Sequence, residues 1–174
     1  MTDTLTKKQR EYLQDVNSAL HEAGHLAAAI SRGIPAIARI GYDGFSSARM
    51  NYDPIGVSLG DEVFLTFAGI AVVEKFHLRK LGLALDLEDI EKAVAHLPVE
   101  KAEHLKSQAR RDAEQFVANP LALGGILRLA IVLIERRSLD EDTAKKVFAG
   151  GIKVEASDEF CEALQLLPCA VWLE

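Results

Sequence analysis

Residues 19–30 read Ala19-Leu20-His21-Glu22-Ala23-Gly24-His25-Leu26-Ala27-Ala28-Ala29-Ile30. The apolar side chains of this stretch recur every three or four positions, a spacing that extends back to Val16 and is typical of a buried helix face. Gly33 and Pro35 follow shortly after, and both residue types end helices. The sequence therefore predicts one long helix from about Thr6 to Arg32.

Gly24 lies in the middle of this predicted helix, where a glycine costs about 1 kcal/mol relative to alanine. The neighbouring side chains are small as well, because Ala23 and Ala27–Ala29 belong to the same predicted helix. We expect a close neighbour, either a second helix or a substrate, to explain a glycine at this point.

The rest of the chain predicts further helices and a small β element. Two short β-like segments, Ala36–Ile40 and Ala48–Tyr52, are expected to pair as a hairpin. Ser58-Leu59-Gly60-Asp61 and Ser138-Leu139-Asp140-Glu141 have the spacing of capping boxes at helix starts. The expected helices are Ser58 to Leu81, Asp86 to Leu97, Pro98 to Val117, Leu121 to Arg137, Ser138 to Gly150 and Asp158 to Leu167.

Composition narrows the class of protein. The 174 residues suit about one domain, placed at 1–174, and the 6% aromatic content favours a helical core over a β-sandwich. A net charge of −6 argues against a general nucleic-acid binder, because such a protein needs basic contacts to phosphate. The sequence shows neither an apolar signal core nor an apolar run of bilayer length, so we expect a cytoplasmic protein without a membrane partner.

Cys161 and Cys169 are expected to pack as small apolar side chains.

His21, Glu22 and His25 form the sharpest chemical pattern in the chain. Histidines four positions apart point to the same helix face and can grip one metal ion. The glutamate next to His21 can reach a water at the metal rather than the metal itself, which is the arrangement of zinc hydrolases. The alternative is a helix with two surface histidines, and the alanine- and glycine-rich surroundings argue against it.

A catalytic zinc ion that keeps one open position needs a third protein ligand. No third histidine follows His25 closely, since the next six residues are Leu26 to Ser31. From the residues alone, the candidates are a carboxylate or one of His77, His96 and His104. These three histidines are otherwise expected at the surface.

Two further motifs follow in the chain: Gly69-Ile70-Ala71-Val72-Val73-Glu74 and Asp89-Ile90-Glu91-Lys92-Ala93. Together with the His21–His25 motif they resemble, in order and spacing, the protease domain of FtsH-type zinc metalloproteases, over about residues 19–97. The resemblance implies a mainly α, zincin-like peptidase domain with a small β-hairpin or sheet after the motif helix. It also implies Asp89 as the third zinc ligand and Glu74 as a partner that orients a metal-bound histidine. The C-terminal helical part, about 98–174, is a weaker match.

The chain also departs from this family. It has no glycine-rich phosphate loop, hence no ATPase module, and we expect no membrane anchor. Ile70 and Val73 stand where the family usually has arginine and glutamate. Glu88 and Val94 stand where it usually has serine or asparagine, and threonine. We therefore interpret the chain as a stand-alone, divergent relative.

The resemblance and the residues together predict a soluble, zinc-dependent endopeptidase that acts on flexible or unfolded polypeptide. His21, His25 and Asp89 would hold Zn²⁺, and Glu22 would serve as the general base. Asp86 and Glu88 are the nearby alternatives to Asp89. Without a motor of its own, the chain would depend on a separate partner or motor protein for any unfolding of its substrate.

The β-like segment Ala36–Ile40 is expected to offer an edge strand to an extended peptide. One alternative function is a zinc-binding, non-proteolytic peptide-binding or regulatory module. Another is a helical interaction protein that holds no metal. The sequence predicts no particular oligomeric state.

Overall fold

The computed structural model describes residues 6–41, 49–52, 55–78 and 83–170. Within them the chain forms seven α-helices and a small antiparallel sheet, which confirms the mainly α class and the hairpin after the first helix. In chain order the elements are α1 Lys7–Ser31, β1 Ala36–Arg39, β2 Arg49–Tyr52, α2 Leu59–Lys75, α3 Leu83–Val94, α4 Val99–Ala118, α5 Pro120–Arg136, β3 Ser138–Leu139, α6 Glu141–Phe148 and α7 Asp158–Ala170.

Helix α1 is the centre of the fold. Its start is a capping box, in which the Thr6 hydroxyl accepts a hydrogen bond from Gln9 N–H and the Gln9 side chain accepts one from Thr6 N–H. From Val16 to Ala29 almost every side chain is buried, because α2, α5 and the sheet pack around this helix. The observed bounds agree with the predicted ones to within one residue at each end.

The expected close neighbour of Gly24 is helix α2. A Cβ atom on Gly24 would lie 2.8 Å from Val72 Cγ2 and 2.9 Å from the carbonyl oxygen of Ala68. Both distances are shorter than van der Waals contact, and one of the atoms belongs to backbone. The glycine therefore sets how closely the two helices approach each other.

We expect Gly24→Ala to lower the free energy of unfolding by about 1–3 kcal/mol, because overpacking at the crossing outweighs the better helix propensity of alanine. The measurement is the urea midpoint of unfolding. Gly60→Ala is the matched control, since a Cβ on Gly60 of α2 would have its nearest neighbours at 3.8 Å. An unchanged or raised midpoint for Gly24→Ala would show that the helices are not in close contact there.

The sheet has the strand order β2-β1-β3, with both pairings antiparallel. Ala38 of β1 is in register with Met50 on one side and with Leu139 on the other. The prediction that Ala36–Ile40 is a free edge strand is therefore wrong, because β1 is the central strand. The outer strands are β2 and β3. Ala48, predicted as the start of the second strand, lies outside the described residues.

The helix start predicted at Ser138 is also wrong. Ser138 and Leu139 form β3 instead, and pairing with β1 buries the Leu139 side chain. The cap of α6 is Asp140, whose carboxylate accepts a hydrogen bond from Thr143 N–H at 2.9 Å. A pairing between segments about a hundred residues apart thus takes precedence over a local capping pattern.

The start of α2 at the Ser58 cap is confirmed, since the Ser58 hydroxyl accepts a hydrogen bond from Asp61 N–H. Its predicted end at Leu81 and Gly82 lies outside the described residues, and the helix ends earlier. His77 adopts a left-handed conformation, with φ of 51°, and the next N–H, that of Leu78, donates to a carbonyl in the last turn. This is a helix-terminating cap in a position that usually holds glycine.

Helices α4 and α5 meet at an angle of 81°. Asn119 lies at the junction, where its side-chain oxygen accepts a hydrogen bond from Leu121 N–H and caps the helix that begins at Pro120. Within the part of the chain that the structure describes, no single helix has both the length and the apolarity to cross a membrane. Only α4 and α5 taken together reach that size.

The expectation for Cys161 is wrong, because this residue is exposed on α7 rather than packed. Its position follows from the amphipathic pattern of α7, which turns Phe160 and Ala163 towards the core instead. The side chain of Cys169 lies outside the described part of the chain.

Candidate metal centre

Helix α1 presents His21 and His25 on one face, as their spacing predicts. The two Nε2 atoms lie 2.9 Å apart, and the residues are only 7% and 6% exposed. Two imidazole nitrogens at this separation, buried in a helical core, can act on one common ligand atom or ion.

The imidazole of His25 is held in a defined orientation by α2. Its Nδ1 lies 2.8 Å from the backbone carbonyl oxygen of Leu65. A carbonyl oxygen only accepts hydrogen bonds, so Nδ1 must carry the proton and donate. In the neutral ring the lone pair is then on Nε2, which is the atom that faces His21. Metal-binding histidines are commonly fixed in this way by a carbonyl or carboxylate.

Gly69 of α2 lies directly against the same ring. A Cβ atom at this position would come within 2.3 Å of both Cε1 and Nε2 of His25. No atom fits at such a distance, so the imidazole occupies the space that any other residue's side chain would fill.

Burial lowers the pKa of His25, and the neighbouring His21 lowers it further. The carboxylates of Glu22 and Asp86 and the hydrogen bond to Leu65 act in the opposite direction, but they do not reverse the shift. The environment thus favours the neutral imidazole, which is the form that coordinates metals.

The carboxylate that joins the two histidines is that of Asp86 on α3. Its Oδ2 atom lies 3.1 Å from Nε2 of His21 and 3.8 Å from Nε2 of His25. The sequence predicts a helix that starts with Asp86 as its cap, but α3 already begins at Leu83. Asp86 therefore lies in the first turn of α3, where its side chain reaches α1.

These three side chains fit a metal ion by two observations. Asp86 Oδ2 is buried and has no hydrogen bond of good geometry within the described residues; its nearest possible donor is Nε2 of His21 at 3.1 Å, so a cation bound between them would offset its charge. The three donor atoms are separated by 2.9, 3.1 and 3.8 Å. Tetrahedral ligands at about 2.0–2.1 Å from zinc are roughly 3.3–3.4 Å apart, a value that these distances bracket.

Glu22 lies next to this group without closing it. The residue is 5% exposed, and its Oε1 atom lies 4.0 Å from Nε2 of His21. Oxygen and nitrogen atoms of His21, Glu22 and His25 all lie within 4.8 Å of one another. The Glu22 carboxylate is thus farther from Nε2 of His21 than the Asp86 carboxylate is, at 4.0 Å against 3.1 Å.

Two site residues implied by the family resemblance are not brought to the histidines. The side chain of Asp89 is 69% exposed and lies 3.5 Å from the ammonium group of Lys92. Glu74 is 45% exposed and forms a 2.9 Å ion pair with Arg110 of α4. Both carboxylates interact with a surface cation instead.

The structure also shows where the other candidate histidines lie, and it adds two groups that the sequence did not predict. His77, His96 and His104 are all exposed, as expected of surface residues. The carbonyl of Leu65 had no signal in the sequence, because every residue carries the same backbone group. The contact of Gly69 with the His25 ring had a weak signal in the sequence, because Gly69 is the first residue of one of the motifs quoted above.

Comparison with models of known protein families gave no match to this chain, and comparison with curated proteins gave none either.

Proposed function

We propose that this chain is a zinc-dependent endopeptidase in which His21, His25 and Asp86 hold the metal and Glu22 is the general base. The observation that carries the proposal is the buried convergence of two Nε2 atoms and one carboxylate oxygen, which lie 2.9, 3.1 and 3.8 Å from one another. Asp86 replaces Asp89 as the proposed third ligand. A zincin-like, FtsH-type arrangement of the helices belongs to the same proposal.

A bound Zn²⁺ supplies a Lewis acid that polarises a peptide carbonyl and lowers the pKa of a coordinated water towards about 7. The chain's own contribution to proton transfer is Glu22. Its carboxylate is positioned to take a proton from the attacking water and to return it to the nitrogen of the departing amine. Burial of both histidines and of Glu22 keeps bulk water from competing for these hydrogen bonds.

The proposed substrate is a flexible or unfolded polypeptide. The sequence contains no glycine-rich phosphate loop, so we propose that this chain does not use ATP itself and that any unfolding of substrate comes from a separate partner. With β1 paired on both sides, we assign the pairing of an extended peptide to the outer strand β2, Arg49–Tyr52. The cytoplasmic location expected from the sequence stays a prediction.

One observation favours a second candidate, a zinc-binding module that does not cleave peptides. His21, Glu22 and His25 are each less than one tenth exposed, and closed, deeply buried sites are typical of structural zinc. A purely structural site has no use for a buried carboxylate next to the ligands, so the position of Glu22 favours the peptidase.

We expect protein purified without added metal to contain about one zinc ion per chain, measured by elemental mass spectrometry. A chelator should lower the melting temperature, because a ligand at 100 times its Kd stabilises the folded state by about 2.7 kcal/mol. For a chain of this size, that amounts to roughly 5–10 °C. Zinc-free protein that takes up no zinc on reconstitution, and that melts at the same temperature with and without chelator, would contradict the proposal.

A further inference from the structure

The helical glycines of this chain differ in what a side chain would meet at each of them. At Gly24 the nearest atoms include backbone of the neighbouring helix. At Gly60 they lie at ordinary contact distance, 3.8 Å. At Gly69 all three nearest atoms belong to one ring, the imidazole of His25. Of these three glycines, only Gly69 lies against a proposed metal ligand.

We infer that Gly69 is a positioning residue of the metal centre, whose missing Cβ allows the His25 imidazole to lie against α2 with Nε2 directed at His21 and Asp86. The inference rests on the proposed function, because it takes His25 as a ligand. It adds that metal affinity depends on a residue that donates no atom to the metal.

Two contacts fix the ring of His25, and they act together. Nδ1 of the ring donates a hydrogen bond to the carbonyl of Leu65 at 2.8 Å, and Gly69 lies against Cε1 and Nε2 of the same ring. A Cβ at 2.3 Å from these atoms forces the ring to turn. Turning either breaks the hydrogen bond to Leu65 or moves Nε2 away from Asp86.

The fold itself has a way to absorb the substitution. The atoms that the new Cβ would meet are at the end of the His25 side chain rather than in backbone, so the ring can move while the two helices stay in place. Gly24 is different, because its close contacts include the carbonyl of Ala68. We therefore expect a substitution at Gly69 to weaken metal binding while the protein still folds.

Gly125 of α5 provides a matched control. A Cβ there would meet the ring of Phe148 at 2.4 and 2.5 Å, a clash of the same kind against an aromatic ring that binds no metal. Gly69→Ala and Gly125→Ala thus make the same chemical change with the same type of steric conflict. Gly60→Ala serves as the variant without a conflict.

The test measures the zinc Kd of the unsubstituted protein and of the three variants by competition with a chromophoric chelator. We expect a Kd about 10- to 100-fold higher for Gly69→Ala, the range found when groups that orient metal ligands are removed. Gly60→Ala and Gly125→Ala should keep the original Kd. The visible spectrum of the Co²⁺-loaded Gly69→Ala protein should also change, since it reports the geometry of the ligands.

Two outcomes of this binding test would overturn the inference alone: an unchanged Kd in Gly69→Ala, or an equal loss of affinity in Gly125→Ala. Absence of zinc binding by the unsubstituted protein would overturn the proposed function together with it. The two proposals are therefore separable by experiment.

A second measurement applies even if zinc binding by Gly69→Ala is too weak to quantify. In metal-free protein, we expect Gly69→Ala to lower the melting temperature when His25 is present. In a His25→Ala background the ring is gone, so the same substitution should leave the melting temperature unchanged or raise it. An equal decrease in both backgrounds would overturn the inference.

Discussion

Glu22→Gln is expected to abolish cleavage of an unfolded polypeptide while the protein still binds about one zinc ion per chain. The amide has the shape of the carboxylate but cannot take a proton, and a general base contributes about 10²- to 10⁴-fold to the rate. Glu22 Oε1 lies 4.0 Å from Nε2 of His21 and Asp86 Oδ2 lies 3.1 Å from it, so in the proposed site Asp86 is the third ligand and zinc binding should survive the substitution. The measurement pairs initial rates of cleavage with elemental analysis of the same samples.

Glu114→Gln is the control for this substitution. The substitution makes the same chemical change on the exposed side of α4, where the partner of Glu114 is Arg110. It should cleave at the unsubstituted rate. Cleavage by Glu22→Gln at that rate would disprove the assigned role, and a zinc-loaded but inactive unsubstituted protein would favour the regulatory module.

Asp86→Ala should raise the zinc Kd by more than about 100-fold, which exceeds the effect typical of residues that only orient ligands. This corresponds to more than about 2.7 kcal/mol of binding free energy. Asp89→Ala should leave the Kd unchanged, because that side chain is largely exposed beside Lys92. Isothermal titration of metal-free protein with zinc measures both variants on the same scale.

The metal-free proteins give an independent check. In the zinc-free form Asp86 Oδ2 contacts only Nε2 of His21 within hydrogen-bond distance, at 3.1 Å, so removing the carboxylate should change the stability of that form only slightly. The same substitution should lower the stability of the zinc-loaded form. Loss of zinc binding in Asp89→Ala, with retention in Asp86→Ala, would contradict the assignment and restore the ligand implied by the family pattern.

The sequence predicts best those parts of the fold that are determined by residues close together in the chain. The capping residue Thr6, the apolar spacing and the breakers Gly33 and Pro35 define α1 without reference to the rest of the chain. The errors arise where distant contacts decide. Leu139 is part of a strand because it pairs with β1. His77 follows the end of α2 in a left-handed conformation, which is uncommon for residues other than glycine.

The candidate site divides in the same way. His21, Glu22 and His25 lie within five residues of one helix, so helix geometry alone brings them together. The third carboxylate comes from α3, and the choice between Asp86 and Asp89 depends on which turn of that helix approaches α1. That orientation is a tertiary property, which the i, i+3 spacing of the two aspartates does not determine.

Two imidazoles and Glu22 lie within the buried part of α1, and this placement has a consequence for the lifetime of the protein in a cell. If the proposed zinc site forms, a newly made chain that has not yet bound zinc lacks the free energy of binding that stabilises the folded state, so it should spend more time unfolded. Cellular proteases remove unfolded chains, and a difference of 1–2 kcal/mol changes abundance several-fold. Zinc supply would then set how much of this protein accumulates as well as how active it is.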